Sequence, residues 1–151
     1  MAAKESEIVE MLTVAYSMEL ETVMNYLANS INLDGVRAEE IKKSLSADIP
    51  TELGHAQQLG NRIKQIGGLV PGSLGVKLGS QAQPSKNTTD VASVIKAVID
   101  AEEAACKQYK KIIRATEGED YVTQDLAVTL LADEEEHLIQ FKGFLKEYEE
   151  K

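Results

Sequence analysis

Tryptophan is absent from the 151 residues, and phenylalanine occurs twice, proline three times and cysteine once. So few aromatics and prolines suit a helical protein better than a β-sandwich. The single cysteine, Cys106, excludes an intrachain disulfide framework and any Cys-x-x-Cys motif; we read it as a small buried or half-buried side chain. No apolar run approaches the roughly 18–20 residues that a membrane span needs. The opening "MAAKESEIVEML" has acids where a signal peptide would be basic and then apolar, so a cytoplasmic chain is expected. Positive charge is scarce as well. Sixteen Lys and Arg against 25 Asp and Glu leave a net charge of −9, which argues against a nucleic-acid partner and suits cations.

What the chain does contain is helical periodicity, in an amount suited to one domain over residues 1–151. The first stretch covers about residues 6–32, with Ile8, Leu12, Ala15, Val23 and Tyr26 on one face, and stops at "NLDG". A second covers 36–66 through Ile41, Leu45, Leu59 and Ile63, interrupted at Pro50, where a kink or a meeting of two helices is expected. The Gly, Ser and Pro-rich segment 67–89 carries no periodicity and is too long for an ordinary loop. A third helix follows over 90–116, with Asp90 as its N-cap, and a fourth over 121–148. Two short connections around one long central one predict an all-α fold. It is a four-helix bundle with a long crossover between helices 2 and 3, which then run parallel.

The phase of the acids is the informative feature. Glu19 falls four residues after Ala15 and seven before Tyr26, inside the apolar stripe, whereas Glu21 is turned about 200° away. Glu52 and His55 lie on the line of Leu45, Leu59 and Ile63. Glu102 follows Val98 by four and precedes Tyr109 by seven, while Glu134 follows Leu130 by four and His137 precedes Phe141 by four. Glu103, Glu135 and Glu136 face outward. Every helix therefore sends one carboxylate inward, and two helices add an imidazole. Four ionised carboxylates in an apolar core cost several kcal/mol each unless a counter-charge is present. Two divalent cations supply it.

The halves also repeat. "ELETVMNY" from Glu19 parallels "EEAACKQY" from Glu102, and "ELGHAQQL" from Glu52 parallels "EEEHLIQF" from Glu134. The glutamates are 33 residues apart in the first half and 32 in the second, as a duplicated helical hairpin around one site would give.

One Glu from each of two helices and Glu-x-x-His from each of two others resembles the ferritin-like superfamily of di-iron carboxylate proteins. The resemblance covers nearly the whole chain. "MELETVMNYL" and "EDYVTQDLAVTLLADEEEH" are similar to stretches of bacterioferritin-type domains. It implies that Glu19, Glu52, His55, Glu102, Glu134 and His137 ligate two iron ions, with manganese or zinc as alternatives. Glu52 and Glu134 would bridge. An ungapped alignment puts Ala101 at the third-helix position; the stripe and the repeat favour Glu102.

The resemblance further implies a ferroxidase that oxidises ferrous iron with dioxygen for storage or detoxification, with Glu52, Glu134, Tyr26 and Tyr109 at the chemistry. Alternatives are a rubrerythrin-like protein that reduces hydrogen peroxide and a metal-binding bundle without turnover. Rubrerythrin's own four-cysteine domain is absent from this chain. Leu53 stands where bacterioferritins carry a haem-ligating Met, so haem is not expected. A homo-oligomer, dimer or larger, is expected.

Overall fold

The structure, a computed structural model, describes residues 2–149. Among the described residues there are four long helices and no strand: α1 (Ala2–Asn32), α2 (Glu39–Gln65), α3 (Val91–Thr116) and α4 (Tyr121–Glu149). A single 3-10 turn, Val36–Ala38, leads into α2. Local chemistry sets the ends. Asp90 caps α3 by accepting from the Ser93 backbone N–H at 3.1 Å, and Asp120 does the same for α4 through Thr123 at 3.0 Å. Helix α2 ends in a turn closed by Gly68 N–H donating to the Ile63 carbonyl, with Gly67 at φ 91° between them. A Cβ on Gly68 would stand 2.8 Å from both Ile63 and Val9, so glycine is also required there for close approach to α1.

Helix α1 starts at Ala2, ahead of the expected position near residue 6, and Glu5 in its first turn complements the helix dipole. Helix α2 runs unbroken through Pro50, so two separate helices do not meet there. The proline removes the hydrogen bond to the Ser46 carbonyl, but Pro50 and Ser46 both lie on the exposed side. Water can satisfy that carbonyl, which makes the proline tolerable without a break.

The interior consists of two apolar blocks. One gathers Tyr26, Ile41, Leu45, Val94, Ile95, Val98 and Phe141; the other gathers Ile8, Leu12, Leu59, Ile63, Tyr109, Ile112 and Leu130. The first block takes the late part of α1 and α4 and the early part of α2 and α3. Helices α2 and α3 are therefore parallel to each other and antiparallel to α1 and α4. Four-helix bundles with one long crossover have this topology.

The crossover is tied down by an acid that the helical phase places away from the interior. Glu21 is buried beneath the segment, where its Oε2 accepts from the backbone N–H of Gly79 at 2.9 Å and of Gln81 at 3.1 Å. Its Oε1 accepts from Ser80, N–H at 3.3 Å and hydroxyl at 2.9 Å. Burial works to raise the Glu21 pKa, but these donors, Gln81 foremost, outweigh it and hold the carboxyl below its ordinary value. The Gln81 side chain adds bonds to Thr22 at 2.8 Å and to the Met18 carbonyl at 3.2 Å.

Candidate metal centre

Between the two apolar blocks lies a layer of acids. Helices α1, α2, α3 and α4 contribute Glu19, Glu52, Glu102 and Glu134, each at most 1% exposed, and α2 adds His55 at 2%. His137, on α4, is half-buried, with 13% of its side chain exposed. Ala101 is buried on α3 but brings no donor atom; Glu102 occupies the layer.

The six side chains form two overlapping groups. Ligand atoms of Glu19, Glu52, His55 and Glu134 lie within 4.8 Å of one another, and so do those of Glu52, Glu102, Glu134 and His137. Glu52 and Glu134 belong to both groups. His55 Nδ1 stands 2.9 Å from Glu19 Oε2 and 2.9 Å from Glu134 Oε1. His137 Nδ1 stands 3.1 Å from Glu102 Oε2 and 3.0 Å from Glu52 Oε1. The Glu134 and Glu52 contacts are charge pairs by distance but lack hydrogen-bonding alignment. As a result Glu19 Oε1, Glu102 Oε1 and both oxygens of Glu52 and Glu134 are buried without a hydrogen-bond partner. Native interiors rarely leave a buried carboxylate oxygen unsatisfied, and six converging ones call for a cation.

With no cation, burial and crowding of the acids favour protonation within the layer. Burial, reinforced by Glu19, Glu134 and Glu102, pushes Glu52 well above the ordinary carboxylate range. Burial and then Glu134 do the same to Glu102. Burial would lower the His55 pKa, yet the adjoining Glu134 and Glu19 carboxylates prevail and raise it to about 10. Burial would raise Glu134, but His55 chiefly holds it below its ordinary value. The two phenols differ. Tyr109 donates to Glu19 Oε2 at 2.6 Å, whereas the buried Tyr26 hydroxyl has no partner. Burial first, then the surrounding acids, pushes both phenols well above their ordinary value, so both are neutral donors.

Two further carboxylates border the layer. Asp133 Oδ2 accepts from His55 Nε2 at 3.0 Å, and Asp48 Oδ1 lies 3.9 Å from His137 Nε2. Asp48 had a signal, standing three residues after Leu45 and four before Glu52, in phase with the stripe. Asp133 had only its place beside Glu134.

A model of the ferritin-like domain matches residues 9–150, nearly the whole chain. The chain belongs to the ferritin family. A bacterioferritin of Desulfovibrio desulfuricans is 24% identical over 142 residues, covering 93% of this chain and 75% of that protein. A DNA protection during starvation protein of Pyrococcus furiosus is 28% identical over 144 residues, covering 92% and 77%. Among solved structures, the dodecameric thioferritin of Bacteroides fragilis superposes with a TM-score of 0.87 at 23% identity, over 95% of this chain and 87% of that one. At that identity the likeness shows the ferritin fold. The donor set, carboxylate oxygens with imidazole nitrogens and one lone buried thiol outside it, suits first-row divalent ions. Burial pushes the Cys106 thiol up to about 11, so it is an un-ionised buried side chain. Leu53, beside Glu52, is 51% exposed on the outer face of α2. No described helix is long and apolar enough to cross a membrane.

Proposed function

We propose that the chain takes up a pair of ferrous ions in the four-glutamate, two-histidine layer and oxidises them with dioxygen, for iron storage or detoxification. The six partnerless, buried carboxylate oxygens carry this reading. Glu52 and Glu134, common to both ligand groups, would be shared by the two ions. Glu19 with His55 would complete one position, and Glu102 with His137 the other. Ferrous ions bound there supply two electrons, which with two protons convert dioxygen to hydrogen peroxide. Tyr109 holds one oxygen of Glu19 and leaves the other free for an ion. The apolar blocks on either side keep bulk water out, which strengthens every charge interaction within.

The test is anaerobic titration with ferrous iron, then rapid mixing with oxygen or with peroxide. Two ions per chain and oxidation by oxygen are expected. A marked preference for peroxide would support the peroxide-reducing alternative. Firmly held zinc without oxidation would leave a binding bundle.

A homo-oligomer belongs to the same proposal. Met24, Leu27 and Ile31 recur at helical spacing on α1 and are 54%, 50% and 68% exposed, an apolar stripe that a second copy would cover. The B. fragilis neighbour is dodecameric. Cys106 as a free thiol fits the reducing cytoplasm, where we place the chain.

A further inference from the structure

A cavity of about 430 Å³, within the range of small-molecule sites, lies outside the ligand layer, where the crossover passes over α1 and α3. Ala97, Ala101 and Ala104 share one face of α3 and form its floor with Val14 and Met18 of α1, while Leu78 belongs to the crossover roof. The lining is mainly apolar, and its polar groups divide in two. Ser17, Ser80 and Gln81 fasten the crossover: Ser17 Oγ accepts from the Lys77 N–H at 3.3 Å, Ser80 bonds to Glu21, and Gln81 bonds to Glu21, Thr22 and the Met18 carbonyl. The Lys77 ammonium on the roof and the Asp100 carboxylate on α3 are left over. They form no ion pair with each other, and neither has a side-chain hydrogen bond to any described residue. The roof's bonds to the helices all go to α1, so no polar contact fastens it to α3.

We infer that this cavity binds an aromatic α-amino acid as its zwitterion, with the ring on the alanine floor, the carboxylate on Lys77 and the ammonium on Asp100. The ring gains by leaving water, and the Met18 thioether favours contact with an aromatic face or edge. The two charges select the head group. A monoanion would meet Asp100, a monocation would meet Lys77, and a neutral molecule would leave both unmatched; a zwitterion complements both. Bound in this way, the ligand links the crossover roof to α3. The inference does not depend on the paired ions.

Calorimetry of the full chain with phenylalanine, hydrocinnamate and phenethylamine tests this, since the last two each lack one charged group of the first. Phenylalanine should bind more tightly than either by about fivefold, the scale of an ion pair open to solvent. Lys77→Met should erase its advantage over phenethylamine, and Asp100→Asn its advantage over hydrocinnamate. Ala97→Leu, at a half-buried floor position, should weaken all three. Saturating phenylalanine should also slow trypsin cleavage after Lys77. Hydrocinnamate or phenethylamine binding the wild-type chain as tightly as phenylalanine would overturn the inference. So would the absence of saturable phenylalanine binding at millimolar concentration, or an unchanged affinity in folded Ala97→Leu.

Discussion

Filling the layer with a redox-inert divalent ion should expel protons, because protons occupy the place of the cations in the metal-free chain. Burial pushes Glu52 and Glu102 well above the ordinary carboxylate range, which favours their protonated forms in the metal-free chain. His55, raised to about 10, carries a proton at pH 7, while Glu134 is held below its ordinary value and favours the ionised form. Bound ions need carboxylates and neutral imidazole, so binding the pair should release the His55 proton at pH 7, together with whatever protons Glu52 and Glu102 hold. By linkage, the overall two-ion constant should then rise about tenfold per pH unit near neutrality, or about 1.4 kcal/mol, for each proton released. The sign is fixed: ligands whose pKa values are raised by folding favour metal more as pH increases, and the slope flattens as each pKa is passed. Zinc titration in dilute buffer with an indicator dye measures the protons, and metal analysis measures the ions. Glu52→Gln should lose the pair of ions and its share of the release. Two zinc ions bound with less than about one proton released would refute the protonated-layer account.

Glu52→Gln should also raise the melting temperature of the metal-free chain above neutral pH, by a few degrees for about 1 kcal/mol, since it removes a buried group forced to ionise. Glu52 and Glu102 have raised folded pKa values, so their stabilising share is complete below the unfolded value and is lost as pH rises; thermal melts from pH 5 to 9 show whether Glu52→Gln flattens that decline. Glu21→Ala should cost about 2–4 kcal/mol in urea unfolding and, by loosening the crossover, speed trypsin cleavage after the exposed Lys77 and Lys86. The Glu21 pKa is depressed, so its contribution should be present above the unfolded value and disappear as pH falls through the folded one. Leu27→Asp with Ile31→Asp on the α1 stripe should lower the mass measured by light scattering; an unchanged oligomer would place the interface elsewhere.

The four glutamates and both histidines were legible because the 3.6-residue repeat fixes which side chains share a face with the apolar stripe. Glu102 shows how sharp that criterion is: Ala101, one residue away, was the rival by alignment and contributes no ligand atom. Periodicity fails where burial comes from something aperiodic. Glu21 reads as solvent-facing on α1 and is buried because a segment without helical signal crosses over it. Asp133 lies outside the stripe and reaches His55 only because α2 and α4 come together there. Pro50 reads as a break because sequence shows the missing donor but not that the released carbonyl, on Ser46, faces water.

The division of the greasy interior into two blocks has a mechanical outcome. Neither block reaches across the bundle's midsection, where buried acids with unpartnered oxygens replace apolar packing, so the metal-free chain should be weakest at its waist. Loading would rivet the upper and lower halves together, and amide exchange along the middle turns should slow far more than at the helix ends.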